Sequence, residues 1–427
     1  MRQKSRVRRA GRATAAALFA GSLAMGLLVS ANPAVEAAPA AKRDRPGCQT
    51  TDDPPTNKWT FHNELGRELT AIQRKSLGRV KVSKVGESIE GRAMWAARVG
   101  FGDQVLMVQS AIHGNERTGT EALLNLLREL GTKNDRATKE ILRNVTLVAM
   151  PMVNPDGGEL NRRQNAITWD QVVEQYPQLE GAPPAWYFSQ TQDQTGFDLN
   201  RDFHPQLDYQ PRPQDLPGRQ VDAGFYLSPE SQAIRDMYVD LREEFDTPPA
   251  VVDLHHAGPC GRLEGGPQDG KLVSVELDYP PLGVNDGAAY EQEWPLLDQD
   301  LSRRYALAAA NGMQDAVVDD QSPLAAVGRY VHFDEREYEG QGRSAFALNG
   351  SPTVLFEVRG QADDFGQKGM KMFVTAVQNG LDGIIESMAT DEIEDLDGDD
   401  FFDLAHTGWE TQADRDARDE WLADAPN

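Results

Sequence analysis

Gln104–Leu130 reads QVLMVQSAIHGNERTGTEALLNLLREL. The apolar-rich run Val105–Ile112 predicts a buried strand. From Thr118 onward Ala122, Leu123, Leu126, Leu127 and Leu130 recur at helical spacing, so a helix follows. Between the two lies His113-Gly114-Asn115-Glu116. A histidine and a glutamate three residues apart, at the C-terminal end of a strand, can turn a nitrogen and an oxygen toward one point in the crevice where open α/β sheets place their sites. That is half of a zinc site. The spacing arises readily by chance in 427 residues, so a further ligand, a base and charge-stabilising groups must be found elsewhere.

Working outward, Leu65, Leu69, Ile72 and Leu77 suggest a helix, and Val80–Val82 with Ala93–Val99 a hairpin around Gly91. Downstream, Val145–Met150 reads as a buried strand ending in the turn Asn154-Pro155-Asp156-Gly157. The stretch Ala166–Gly196 is aperiodic and reads as a long loop. Ser228-Pro229-Glu230 opens a helix with a serine cap, a proline at the first position and an acid in the first turn. Pro248 and Pro249 stop it, and Val251–Leu254 predicts a strand delivering His255 and His256. Gly261–Trp294 is loop-rich. A helix near Leu297–Met313, a buried strand Thr353–Val358 and a closing helix Met370–Ile385 complete the pattern. Strands alternating with helices imply an α/β fold: a mixed, largely parallel central sheet with helices on both faces.

The ends differ from the middle. Six basic residues between Arg2 and Arg12 precede the Ala/Leu-rich stretch Ala13–Val29, and Val35-Glu36-Ala37 offers a cleavage site. This is the pattern of a secretory signal peptide over residues 1–37. Arg8-Arg9 admits a twin-arginine reading, but no hydrophobic consensus follows the pair directly, which favours general secretion. Residues 38–58 read as a linker or mature N-terminus, 59–388 as the folded domain, and 389–427 as an acidic tail with 14 acids against Arg415 and Arg418. The chain has 43 Lys and Arg against 67 Asp and Glu, a formal charge of −24. Such a surface disfavours nucleic acid and anionic membrane as partners and suits solubility in a salty medium. After signal removal no apolar run is long enough to span a bilayer. Only Cys48 and Cys260 are present. An oxidising compartment permits a disulfide between them, and two cysteines are too few for a thiolate zinc cluster.

Five motifs stand in order: H-G-N-E at 113–116, N-P-D-G at 154–157, D-L-N-R at 198–201, D-L-H at 253–255 and F-E-V-R at 356–359. From about Trp59 to Glu386 the sequence resembles the zinc carboxypeptidases of the carboxypeptidase A type. The resemblance implies one zinc ion held by His113, Glu116 and His255; His256 is one position late and faces the other side of its strand. It implies that Asp198 hydrogen-bonds a ligating histidine, fixing its tautomer. Two histidines and a carboxylate leave a fourth position for water, whose pKa zinc lowers to about 7. Glu357 resembles the general base that takes the water proton and passes it to the leaving amine; an ion pair with Arg359 is the alternative.

A terminal carboxylate suits the planar fork of an arginine. Asn200 and Arg201 match the family's carboxylate clamp, and Tyr338 its mobile tyrosine, with Tyr330 as alternative. Arg163 resembles the arginine that stabilises the oxyanion. In the family that element lies a few residues before D-L-N-R, whereas here Ala166–Gly196 intervenes, so Arg162 stays open beside it. By the Tyr338 alignment Ala345 lines the pocket for the C-terminal side chain, beside Arg343. An apolar lining favours neutral or apolar residues, the expectation here, and Arg343 pointing inward favours acidic ones. The function expected from the resemblance is a secreted zinc metallocarboxypeptidase acting on peptide or protein C-termini. A cell-wall peptide amidase of the same fold and a non-catalytic binding module are the alternatives.

Overall fold

A computed structural model describes residues 58–408 apart from 192–193, 221, 281, 283–289, 291, 320, 331–337 and 361–366. The expected signal peptide, Cys48 and the chain beyond 408 lie outside the described residues. Cys260 is disulfide-bonded.

Twelve strands are described: β1 Lys81–Glu87, β2 Ala93–Gly100, β3 Gln104–Ser110, β4 Val145–Met150, β5 Phe188–Thr191, β6 Gln194–Phe197, β7 Ala250–Ala257, β8 Arg262–Glu264, β9 Val275–Asp278, β10 Val327–Arg329, β11 Thr353–Arg359 and β12 His406–Gly408. Ten of them form one sheet in the order β1-β2-β4-β3-β7-β11-β9-β10-β12-β8. Its centre, β4-β3-β7-β11, is parallel. The antiparallel pairs lie outward of that centre, at β1/β2, β2/β4, β11/β9 and β12/β8. The sheet is therefore mixed and largely parallel.

Side chains alternate across each strand, so both faces of the central strands are buried. Leu106 and Val108 of β3 pack with Leu123 and Leu127 of the Thr118–Thr132 helix. Val105 and Met107, on the other face, pack with Ile234 and Tyr238 of the Pro229–Phe245 helix. The latter begins as its residues dictate, the Ser228 hydroxyl accepting from the Ser231 N–H at 3.2 Å. The Thr118 N–H has no side-chain cap from its own flank; the His256 Nε2 accepts it at 3.3 Å.

The stretch expected as a loop has structure of its own. Thr168 and Gln171 form a capping box that opens a helix over Trp169–Gln175, and β5 and β6 form a hairpin. Ile167, Val172, Tyr187 and Phe197 bury their side chains together. These residues are too irregularly spaced to show a period, which is why the sequence reads as aperiodic. The insertion also closes on itself. The Asn165 N–H donates to the Phe197 carbonyl at 3.2 Å, and the Phe197 N–H to Asn165 Oδ1 at 2.8 Å. Chain entering at 165 leaves at 197 from nearly the same place.

Asn165 Nδ2 in turn donates to Glu230 Oε2 at 3.0 Å, and Glu230 is fully buried. Burial pushes its carboxyl up to about 8. A carboxyl whose folded pKa lies above its unfolded value binds its proton more tightly when folded. Its stabilising share is whole below about 4.5 and is lost as pH climbs toward 8. Glu230→Gln is therefore expected to flatten the fall in melting temperature over that interval. Scanning calorimetry from pH 5 to 8.5 checks this, and parallel curves for the two proteins would contradict it.

Composition places residues 389–427 in a tail, yet the first part folds. Glu392–Asp395 is helical, Gly398–Asp403 is a 3-10 turn, and β12 sits between β10 and β8. Ile393 and Phe401, in a stretch rich in acids, are buried and anchor the segment.

Candidate active site

The loop after β3 is held by the N-P-D-G turn. Asn154 Nδ2 donates to the carbonyls of Ile112 at 3.0 Å and Arg163 at 3.3 Å, while its Oδ1 accepts the Gly157 N–H at 2.9 Å. Gly114 packs so closely on this turn that a Cβ there would fall 2.0 Å from the Gly157 carbonyl carbon, so only glycine fits. Asp156, fully buried, accepts from Ser88 and Arg92, each at 2.6 Å, and ties the turn to the loop between β1 and β2. This motif is scaffold: it presents His113 and Glu116.

The third group comes from β7, where alternation puts Asp253 and His255 on one face. His113 Nδ1 lies 3.0 Å from Glu116 Oε1, His255 Nδ1 lies 3.0 Å from Glu116 Oε2, and the two Nδ1 atoms are 3.1 Å apart. All three residues are buried, and their ligand atoms lie within 4.8 Å of one another. The opposite nitrogens face acids. His113 Nε2 is 3.2 Å from Asp198 Oδ1, and His255 Nε2 is 2.9 Å from Asp253 Oδ2. Asp253 is absent from the expected site, although its place two residues before His255 carries the signal. The His256 ring faces the helix start, and the residue's backbone N–H donates to Glu116 Oε2 at 3.2 Å.

Electrostatics shows what the cluster wants. Burial opposes ionisation of Glu116, yet His113 and His255 hold its carboxyl well below the usual range. Burial likewise opposes charge on His255, yet Asp253 and Glu116 lift it to about 10. Two imidazole nitrogens turned toward each other over a buried carboxylate are satisfied by a proton on one of them or by a cation between them. Two histidines with one carboxylate, each imidazole backed by an acid, fit zinc.

Asp198 lies behind His113. Although burial works against its charge, Arg163, Arg201 and His113 hold its carboxyl well below the ordinary value. Arg163 donates to Asp198 Oδ2 from Nε at 3.0 Å and Nη2 at 2.9 Å, which leaves Nη1 3.2 Å from His113 Nδ1. Arg162 points away, donating to the carbonyls of Asn165 at 2.5 Å and Thr195 at 2.7 Å. The closed neck of the insertion is what brings Arg163 beside Asp198 despite the intervening residues. Asn200 Oδ1 accepts the Gly342 N–H at 3.1 Å, and Asn200 Nδ2 lies 3.2 Å from His255 Nε2. The Arg201 guanidinium stacks 5.2 Å from the Tyr338 ring centre.

Sheet register brings in the last group. Glu357 of β11 stands directly opposite His255 of β7, and neighbours in register share a face. Burial pushes its carboxyl up to about 7, with Glu116 adding to the shift and His255, Arg343 and Arg163 opposing it. His113, Glu116, His255, Arg163, Arg201 and Glu357 all line one cavity of about 330 Å³, along with both Tyr330 and Tyr338. Ala345 is not on its wall; Arg343 is.

The zinc carboxypeptidase family model matches residues 66–259. Over that span the chain is similar to the zinc carboxypeptidases. The matched span holds His113, Glu116, Arg163, Asp198, Asn200, Arg201 and His255, while Tyr338 and Glu357 lie beyond it. The Homo sapiens carboxypeptidase N catalytic chain is 27% identical over 164 residues, 35% of this chain and 31% of that protein. The chain spans about a quarter to a third of the curated relatives it matches. Thrombin activatable fibrinolysis inhibitor superposes with a TM-score of 0.52 at 13% identity, over 79% of this chain and 75% of that one. Carboxypeptidase A from Helicoverpa armigera gives a TM-score of 0.51 at 17% identity, over 78% and 74%. At those identities the likeness is one of fold alone, and it extends beyond residue 259.

Proposed function

We propose that this protein is a secreted zinc metallocarboxypeptidase that hydrolyses the last peptide bond of peptides or proteins. One observation carries the reading: the His113–Glu116–His255 cluster, the partly buried carboxyl of Glu357 and the Asn200–Arg201 pair open into the same cavity. His113, Glu116 and His255 would hold one zinc ion. Zinc there supplies Lewis acidity, which makes water acidic enough to act as a nucleophile near neutral pH.

The chain's own groups do the rest. Arg201, its guanidinium steadied by Tyr338, pairs with the free terminal carboxylate, and the Asn200 amide stands beside it. Arg163 is anchored on Asp198 through two of its nitrogens, so Nη1 is fixed in place to donate to the oxyanion that forms on the scissile carbonyl. Glu357 takes a proton from the attacking water and returns it to the departing amine, a role suited to a carboxyl near pH 7. The basic, apolar and small-residue pattern of residues 1–37 supports export.

A matched pair of peptides, identical but for a free acid or an amide at the C-terminus, tests the reading. The zinc-loaded protein is expected to cleave the free acid at least about a hundredfold faster in kcat/KM, because the amide leaves Arg201 without an anion. Equal rates on the two would remove the clamp and favour an endopeptidase or amidase.

A further inference from the structure

Arg343 has no part in that scheme, and it is the most buried arginine facing the cavity. It lies in the Gly342–Ala347 helix and is only 2% exposed. Nη1 donates to Asp278 Oδ2 at 2.7 Å, and Nε to Gln341 Oε1 at 2.9 Å. Asp278, on β9, pairs in register with Leu355, two residues before Glu357 on β11. The acid is not on the cavity wall, whereas Arg343, Gln341 and Leu355 are. Asp278 therefore grips the guanidinium from behind, and Nη2 makes no hydrogen bond to any described residue. A planar cation held at two nitrogens, with its remaining edge turned to an open cavity, is a preorganised receptor for an anion.

Its position says which anion. Gly342, adjacent to Arg343 in the chain, donates its N–H to Asn200, beside the proposed seat of the terminal carboxylate. The positive charge of Arg343 is felt both at Arg201 and at Glu357. In the C-terminal residue of a substrate the carboxylate and the side chain branch from one carbon. With the carboxylate at Arg201 and the scissile carbonyl before Arg163 and Glu357, the side chain is left the wall of Leu355, Gln341, Tyr330 and Arg343. That wall offers little apolar surface: Leu355 and a tyrosine ring are enough for two methylenes, and a cation stands beyond them.

We propose that Arg343 selects an acidic C-terminal side chain, so that the cavity accepts peptides ending in glutamate or aspartate. This rests on the carboxypeptidase reading above and departs from the neutral or apolar preference expected from an Ala345 lining. Glutamate's methylenes lie along Leu355 and its carboxylate meets Nη2 of Arg343.

The test uses zinc-loaded full-length protein and peptides of one sequence ending in Glu, Gln, Phe or Lys as free acids. The expected kcat/KM for Glu exceeds that for its neutral isostere Gln by about tenfold or more, with Phe and Lys slower still. Free glutamate is expected to inhibit at lower concentration than free glutamine. Arg343→Gln alone orphans a buried carboxylate and invites misfolding. The paired variant Arg343→Gln/Asp278→Asn removes cation and counterion together, and is expected to bring the Glu/Gln ratio down to about one. Fastest cleavage of Phe or Lys peptides by the native protein would overturn the selectivity and leave the carboxypeptidase reading intact. A paired variant that folds and keeps its Glu preference would acquit Arg343. Failure to cleave any of the four would sink the enzymatic reading itself.

Discussion

Glu357→Gln is expected to lower kcat by about a thousandfold while leaving the metal bound. The amide preserves size and one hydrogen-bonding oxygen but takes up no proton at neutral pH, so the step lost is proton transfer. The ligands His113, Glu116 and His255 are untouched, and zinc content measured by atomic absorption should equal that of the native protein. The pH profile sharpens the test. A base must be ionised to act, so kcat/KM rises with pH through the carboxyl's own pKa. Burial places that value at about 7, and a bound dication in the same cavity would draw it lower, so the acidic limb falls at or below pH 7. The variant's residual rate should lack this limb. Native turnover by the glutamine variant would assign Glu357 to packing against its neighbours.

Stripping the metal with a chelator is expected to reduce hydrolysis to background, with recovery on adding zinc. The same titration has a readout that needs no substrate. Without metal, His255 keeps its proton to about pH 10 because Asp253 and Glu116 surround it. A zinc ion must displace that proton to reach Nδ1, so binding near pH 7 releases about one proton per ion. Calorimetry in buffers of different ionisation enthalpy measures the release directly. Binding also raises the melting temperature, since the unfolded chain has no assembled site. Unchanged melting and no proton release would mean that the three residues bind no ion.

Residues at strand ends were the legible part of this site. His113, Glu116, Asp198, Asn200, Arg201 and His255 stand in short motifs whose spacing survives in one dimension, and the structure brings all but Asp198 to one cavity, with Asp198 behind His113. Asp253 was readable by the two-residue period of its strand, yet a buried aspartate beside histidines looks like any other strand residue until register is known. The choice between Arg162 and Arg163 depended on the Asn165–Phe197 contact, which pairs residues 32 apart and leaves no local mark. Strands β8, β10 and β12 have three residues each, too few to show alternation. Alignment on Tyr338 placed Ala345 at the pocket, but on a six-residue helix the direction of each side chain follows from packing, and Arg343 is the one turned inward.

The closed neck at Asn165 and Phe197 separates two evolutionary problems. An appendage whose ends meet can be lengthened, trimmed or exchanged at a cost that grows only logarithmically with its length, and Arg163 and Asp198 on either side keep their places. Residues 166–196 can thus change without moving the guanidinium of Arg163 or the carboxylate of Asp198 that grips it.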